Sequence, residues 1–416
     1  MSCLLLLAAL VTFVSASPLP VNTESSARRI SSSPSNFAQS APRPRLVKVL
    51  TNLLKVNLTN ILSAPDPALA LGRTLSGSDL PDPVSSITSS PNPLTNTDSP
   101  LPLPADIRNT IIQKTTMYSG AAYCPSVEAG NWTCGMLCDA NPDFNLTSNG
   151  GDGSSKQRWF AGWNPTTKEI IVARQGSDFS HLLTFLYVAD FLPQKLNAEA
   201  AKTFSRLPNS SRASSPQIPV GPLTNNLSSP LTGPSLADYA VVNMGFQSAW
   251  SQTYSDIKTQ VQALLEAHPD AFRVFVTGHS LGATIAVLDG IALRNVVPTS
   301  VQVEVSVTGQ PRVGNPVFAA LLDQLVQTPA ENFVYHRITN HADIFPHLFP
   351  LITGYQHSSN EIWIPTANSN FSTPAVLCPG KENQNCALSQ VLSLTMTEHA
   401  GPYFGHYVGV PADCRA

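Results

Sequence analysis

Val274-Phe275-Val276-Thr277-Gly278-His279-Ser280-Leu281-Gly282-Ala283 constrains the fold more than any other stretch of this chain. The residues before Gly278 are an apolar, β-branched run suited to a buried strand, and residues 283–294 repeat apolar side chains at helical spacing. A serine between two glycines at such a junction sits on a tight strand-to-helix turn with its hydroxyl exposed. Gly278 and Gly282 are needed there because any side chain would collide where strand and helix pinch together. The bare Gly-x-Ser-x-Gly pattern carries little weight, since chance supplies it in a chain this long on the order of a tenth of the time. The flanking strand and helix give it weight.

The same alternation continues on both sides. Residues 107–118 carry apolar side chains at helical spacing, and 169–173 (EIIVA) reads as a strand ending at Arg174-Gln175-Gly176-Ser177. Residues 246–267 predict one long amphipathic helix, while 301–307 and 333–338 predict further strands. Strands alternating with helices indicate an α/β domain with a predominantly parallel central sheet and helices on both faces. Residues 17–104 are rich in Ser, Pro, Asn and Thr, and read as a low-complexity linker or pro-segment, with Arg28-Arg29 as a dibasic processing site. A second Ser/Pro/Asn-rich stretch, 197–235, reads as a surface insertion in a catalytic domain spanning 105–416.

Composition narrows the partners. Net charge is −3 and 12% of residues are charged, so there is no basic face for nucleic acid. The long apolar run, 4–14, is too short to span a bilayer and precedes Val14-Ser15-Ala16, a signal-peptidase site. Residues 1–16 therefore read as a signal peptide and the protein as secreted. Cys124, Cys134, Cys138, Cys378, Cys386 and Cys414 then remain, an even number suited to three disulfides in an oxidising compartment. A metal at Cys134-x3-Cys138 lacks a second close ligand pair. Sequons at Asn57, Asn131, Asn145, Asn209, Asn226 and Asn370 fit a secreted glycoprotein.

A serine hydroxyl is a poor nucleophile unless a histidine takes its proton and a carboxylate orients that histidine. Downstream of Ser280 the acids are Asp289, Glu304, Asp323, Glu331, Asp343, Glu361 and Glu382. Asp343 stands out because it lies just past a strand, at the end where open α/β sheets gather their ligands. It could equally cap a turn before Pro346. The histidines are His336, His341, His347, His357, His399 and His406; His336 lies within a strand and reads as structural. His341 and His347 flank Asp343, but a hydrolytic metal site wants a third ligand, and none is evident. Nothing local chooses between His399 and His406.

Combined motifs do choose. Tyr123-Cys124, Trp132-Thr133-Cys134, Cys138-Asp139, Val242-Asn243-Met244-Gly245-Phe246, Thr277 to Gly282, Gly309-Gln310-Pro311-Arg312-Val313-Gly314, Asp343-Ile344-Phe345-Pro346-His347 and Tyr403-Phe404-Gly405 together resemble the secreted fungal class 3 lipases, a mucor-type family related to feruloyl esterases. The resemblance runs from about residue 107 to the C-terminus. It implies an α/β-hydrolase fold with a helical lid, and a triad of Ser280, Asp343 and His399, the histidine a few residues before Tyr-Phe-Gly. The gap is one residue longer than usual in the family, which leaves His406 as the alternative. It also implies an oxyanion hole from the Leu281 backbone N–H and from Ser177, where the family's Arg-Gly is replaced by Gln175-Gly176. Disulfides Cys124–Cys414, Cys134–Cys138 and Cys378–Cys386 follow from the same likeness.

The family's lid falls on residues 181–192, where Leu182, Leu183, Phe185, Leu186, Val188 and Phe191 make the segment apolar nearly all round. Without that context it would read as a buried core helix. As a lid it would close over the serine in water and open against lipid. These expectations describe a triacylglycerol lipase without metal or cofactor, a monomer working at an oil–water or membrane interface with no transmembrane anchor. A feruloyl or other soluble-ester esterase, and a non-catalytic lipid-binding protein, are the alternatives.

Overall fold

A computed structural model describes residues 95–153, 156–177, 192–207, 236–409 and Cys414. The chain divides into two units, Met1–Ser90 and Pro91–Ala416, and all described residues belong to the second. Residues 181–191 of the expected lid, with Leu182, Leu183, Phe185, Leu186, Val188 and Phe191, lie outside the described residues, and its last residue, Leu192, is exposed.

The described strands are β1 (Leu101–Pro102), β2 (Asn145–Gly150), β3 (Trp159–Asn164), β4 (Glu169–Arg174), β5 (Pro193–Lys195), β6 (Val241–Asn243), β7 (Arg273–His279), β8 (Gln302–Thr308), β9 (Phe333–Asn340), β10 (Glu361–Ile364) and β11 (Val376–Cys378). Nine of them form one sheet in the order β1-β11-β10-β9-β8-β7-β4-β3-β2. Its centre is parallel, from β4 through β7, β8 and β9 to β10, as expected. Its margins are antiparallel: β2-β3-β4 on one side, β10-β11-β1 on the other. Loop length explains the first margin. Four residues join β3 to β4, too few for the crossover a parallel pair needs.

Along the central strands alternate residues enter different cores, as the two-residue period of a strand demands. Ile170, Val172, Val274, Val276, Val303 and Val305 face one core, whereas Ile171, Ala173 and Phe275 face another. The second core is closed by α1 (Lys114–Ala121), which continues a helical run from Ala105 through a π turn. The first, larger core is closed by α2 (Ala198–Ser205), α3 (Met244–Ser251), α4 (Tyr254–Ala267), α5 (Leu281–Leu293) and α6 (Pro316–Gln327). Every residue of α5 is buried, and Gly290 is needed because a Cβ there would lie 2.1 Å from Val305 Cγ2.

Three expectations are corrected. The helix expected over 246–267 is two, α3 and α4, parted at Gln252-Thr253. The break turns the buried Thr253 hydroxyl toward Arg174 Nη1, which donates to it at 2.5 Å. The stretch 197–235 does not begin as an insertion: Asn197 caps α2 by accepting from Glu199 N, and Ala200 and Phe204 pack into the core one turn apart. Residues 208–235 lie outside the described ones. Ordered structure also starts before residue 105. Leu101 and Pro102 pair with Leu377 and Val376, and the Asn383 amide donates to Asn96 Oδ1 and Asp98 O.

Disulfides join Cys124 to Cys414, Cys134 to Cys138 and Cys378 to Cys386. Among the described residues no helix is long and apolar enough to cross a membrane.

Candidate active site

β7 ends at His279 and α5 begins at Leu281, leaving Ser280 between them at φ 60°, ψ −126°. An L residue holds such a conformation only where its surroundings over-determine it. Here they do. A Cβ on Gly278 would lie 2.4 Å from Gly282 O, and one on Gly282 2.5 Å from Gln175 O. Ser280 N donates to Thr308 O at the end of β8, 3.1 Å away. Leu281 opens the helix, so its N–H has no partner within it and sits at the positive end of the helix dipole.

Asp343 and His399 meet across the carboxyl end of β9. His399 Nδ1 and Asp343 Oδ2 are 2.8 Å apart and fully buried, while Asp343 Oδ1 accepts from Phe345 N at 2.9 Å. The imidazole stacks on Phe345, ring centroids 3.7 Å apart, and lies 4.4 Å from the ring of His279, the residue before the serine. Gly309 makes room for the pair: at φ +58°, a Cβ there would lie 2.8 Å from His399 Cε1. Because Nδ1 donates to the carboxylate, Nε2 carries the lone pair, and it is buried without a hydrogen-bond partner. Burial holds His399 well below the usual histidine range and pushes Asp343 up to about 7. The imidazole is therefore neutral and available as a base.

A chain of hydrogen bonds connects this histidine to the loop after β4. His279 Nε2 lies 2.9 Å from His399 O, a carbonyl that only accepts, so Nε2 carries the proton and Nδ1 must accept. Tyr123 Oη lies 2.8 Å from that Nδ1 and therefore donates to it, while accepting from Gly176 N at 2.9 Å. Burial, with His399 nearby, lowers His279 to about 3, which keeps the relay neutral. Gln157 fixes the other side of the loop, its amide donating to Gln175 O at 2.8 Å and Gly176 O at 2.6 Å. Gly176 fits against the elbow, where a Cβ would lie 2.5 Å from His279 O and 2.9 Å from Ser280 Cβ. Ser177 follows, half-buried.

Nothing local in the sequence marked Gln157 or the Tyr123–His279 contact. Arg174, at the end of β4, is a third such residue. Its Nε and Nη2 donate to Asp289 Oδ2 and Oδ1 at 2.6 and 2.9 Å, with both side chains fully buried. The pair joins the strand leading to Gln175–Ser177 to the helix that starts after Ser280.

The remaining acids are engaged elsewhere. Glu304 lies 3.0 Å from Arg273, Asp323 accepts from Ser359, Glu331 pairs with Arg206, Glu361 with Arg337 and Glu382 with Arg312. Among the histidines, His336 contacts Ser306 Oγ, His341 lies 3.7 Å from Glu398, and the His406 ring stands against Phe371. His357 Nε2 meets Pro346 O. Among the described residues, the one group of three donor side chains close enough to hold an ion is Glu361, Cys378 and Cys386, and those cysteines are joined to each other.

The acid loop rests on two buried histidines. Burial, with Arg312 beside it, lowers His347 to about 3; burial and Arg337 hold His357 well below its usual range. Both stay neutral when folded but protonate near 6.5 when unfolded. The unfolded chain thus binds more protons below that pH, and stability falls as pH drops. The expected loss between pH 6 and 5 is about 1.4 kcal/mol per unit for each of the two. Glu382 adds its own loss only below about 4.5: burial pushes its carboxyl up, but the Arg312 guanidinium and the His357 backbone N–H together hold it below the usual range. Urea midpoints at pH 7 and 5 test this; equal midpoints would show that the imidazoles charge without unfolding.

Comparison with known proteins places this geometry. The family model described as Lipase (class 3) matches residues 219–353, which include Ser280 and Asp343. A secreted mono- and diacylglycerol lipase of Malassezia globosa is 34% identical over 173 residues, 41% of this chain and 54% of that protein. A secreted mono- and diacylglycerol lipase of Gibberella zeae is 29% identical over 75% of this chain and 82% of the relative. The chain spans about half the length of the first curated relatives it matches. The solved triacylglyceride lipase of Rhizomucor miehei superimposes with a TM-score of 0.57 at 22% identity, covering 75% of this chain and 99% of that one, a likeness of fold. Over residues 219–353 the chain thus resembles the class 3 lipases, and secreted fungal lipases are among its relatives.

Proposed function

We propose that the protein is a secreted lipase that cleaves carboxylic esters of acylglycerols through Ser280, His399 and Asp343. The observation that carries this reading is the buried His399–Asp343 hydrogen bond, with Nε2 unpartnered beside a strained serine elbow. In this mechanism Ser280 Oγ attacks the ester carbonyl while His399 Nε2 takes its proton. Asp343 holds the imidazole in the required tautomer and balances the imidazolium. The tetrahedral oxyanion is received by the Leu281 N–H and by Ser177, and losing one such donor costs roughly 3 kcal/mol of barrier. His399 then protonates the leaving alcohol, and water, activated by the same histidine, releases the fatty acid. The three disulfides and the secreted relatives support an extracellular setting.

Relatives named for mono- and diacylglycerols and for triacylglycerides give two substrate readings within one chemistry. The apolar composition of 181–192 favours lipid over a soluble aromatic ester. Rates on emulsified triolein, on mono- and diolein, and on a feruloyl ester decide among them. Hydrolysis of the oleates with little on the feruloyl ester is expected. A preference for the feruloyl ester would overturn the lipase reading, and full activity in Ser280→Ala would overturn the mechanism.

A further inference from the structure

Leu392 is 81% exposed, the largest value among the large apolar side chains of the described residues. Single exposed leucines are ordinary, so the setting decides. No charged residue or histidine occurs from 383 to 397, and Val391, Leu394 and Met396 stand half-buried around Leu392. The loop is held in shape. Upstream the Cys378–Cys386 disulfide fixes its base, and Ser389 N donates to Cys386 O and Ser393 N to Gln390 O, each at 2.8 Å. Downstream Thr395 bridges to Asp343: Thr395 N donates to Ala342 O at 2.9 Å and Ile344 N to Thr395 O at 3.2 Å. Met396 packs on the main core, and His399 follows three residues later. A rigid, uncharged loop thus presents a leucine to solvent beside the carboxyl end of the sheet, where the candidate triad lies.

We infer that residues 391–394 are a fixed lipid-docking tip, with Leu392 as the anchor that enters the surface of a lipid droplet or bilayer. The inference rests on the lipase reading of the site. An uncharged tip needs no anionic headgroup, so the partner is an apolar or zwitterionic lipid surface, and binding should be insensitive to salt. The tip is strapped to Asp343 through backbone, so a docked loop holds the acid and base close to the interface without a conformational change of its own.

The test compares parent and Leu392→Asp on droplets of triolein, on phosphatidylcholine vesicles and on a soluble short-chain ester, with Leu392→Phe as the conservative variant. Withdrawing one leucine from lipid is expected to weaken partition to droplets and vesicles about tenfold or more, with matching loss of rate on the emulsion. Soluble-ester turnover should stay unchanged, and Leu392→Phe should bind like the parent. Equal partition of Leu392→Asp and parent overturns the inference. So does an equal fall on the soluble ester, which would make the loop a support for His399 alone. If Leu392→Asp converts a dimer to a monomer without changing lipid binding, the tip is a self-association surface and the lipid assignment falls. Should the parent hydrolyse no ester, the lipase reading fails, while partition of Ser280→Ala and Ser280→Ala/Leu392→Asp still decides the docking tip.

Discussion

Asp343→Asn is expected to lower kcat on a soluble ester by about 10⁴-fold with KM little changed, a barrier increase of about 5.4 kcal/mol. The amide can still accept from Phe345 N through Oδ1, so the loop keeps its shape. What changes is the group facing His399 Nδ1. An NH2 there must donate, which forces the imidazole proton onto Nε2 and removes the lone pair that would accept from Ser280. An unshifted thermal midpoint together with the lost kcat would mark a tautomer effect. A fall of less than about tenfold would mean that Asp343 does not orient the base.

Asp289→Ala is expected to destabilise the fold by about 3–5 kcal/mol, because it leaves the Arg174 guanidinium buried and uncompensated. Burial alone already raises Asp289, so the pair is held by mutual geometry, with Thr253 Oγ1 as the third partner. The double variant Arg174→Met/Asp289→Leu removes both charges at similar volume, and it should recover most of the loss. Its activity need not recover, since Arg174 ends the strand that leads to Ser177. Urea midpoints of the three proteins check this, and a loss below about 1 kcal/mol in Asp289→Ala would show that Arg174 finds other partners.

Asp343 was legible in the sequence, whereas the Arg174–Asp289 pair was not. Gly278 could be read as a pinched turn because its collision, with Gly282 O, is local, whereas a Cβ on Gly282 would meet Gln175 O of the loop after β4, a contact the turn itself does not reveal. Apolar periodicity revealed the parallel centre of the sheet, since strands buried on both faces are apolar throughout. The antiparallel margins depended on loop lengths, a weaker signal. The division between α3 and α4 was hidden because the helical period runs through Thr253 unbroken, and the Arg174 contact that Thr253 makes there is distant in sequence. Asp343 and His399 are brought together over 56 positions, and no spacing rule separates His399 from His406. Motif resemblance made that choice. Asp289 carried an unread signal, as a carboxylate in the wholly buried α5 requires a buried cation. Gln157 and the Tyr123–His279 relay had no signal, being side chains of ordinary type placed by tertiary packing.

The central claim is that Ser280 is a nucleophile activated by His399. Incubation with a long-chain alkyl phosphonate, followed by mass spectrometry of the digested protein, addresses it directly. The account predicts one adduct, on the peptide carrying Ser280, absent from Ser280→Ala and strongly slowed in His399→Ala but not in His406→Ala. An adduct on another residue, or one that persists in Ser280→Ala, would contradict it.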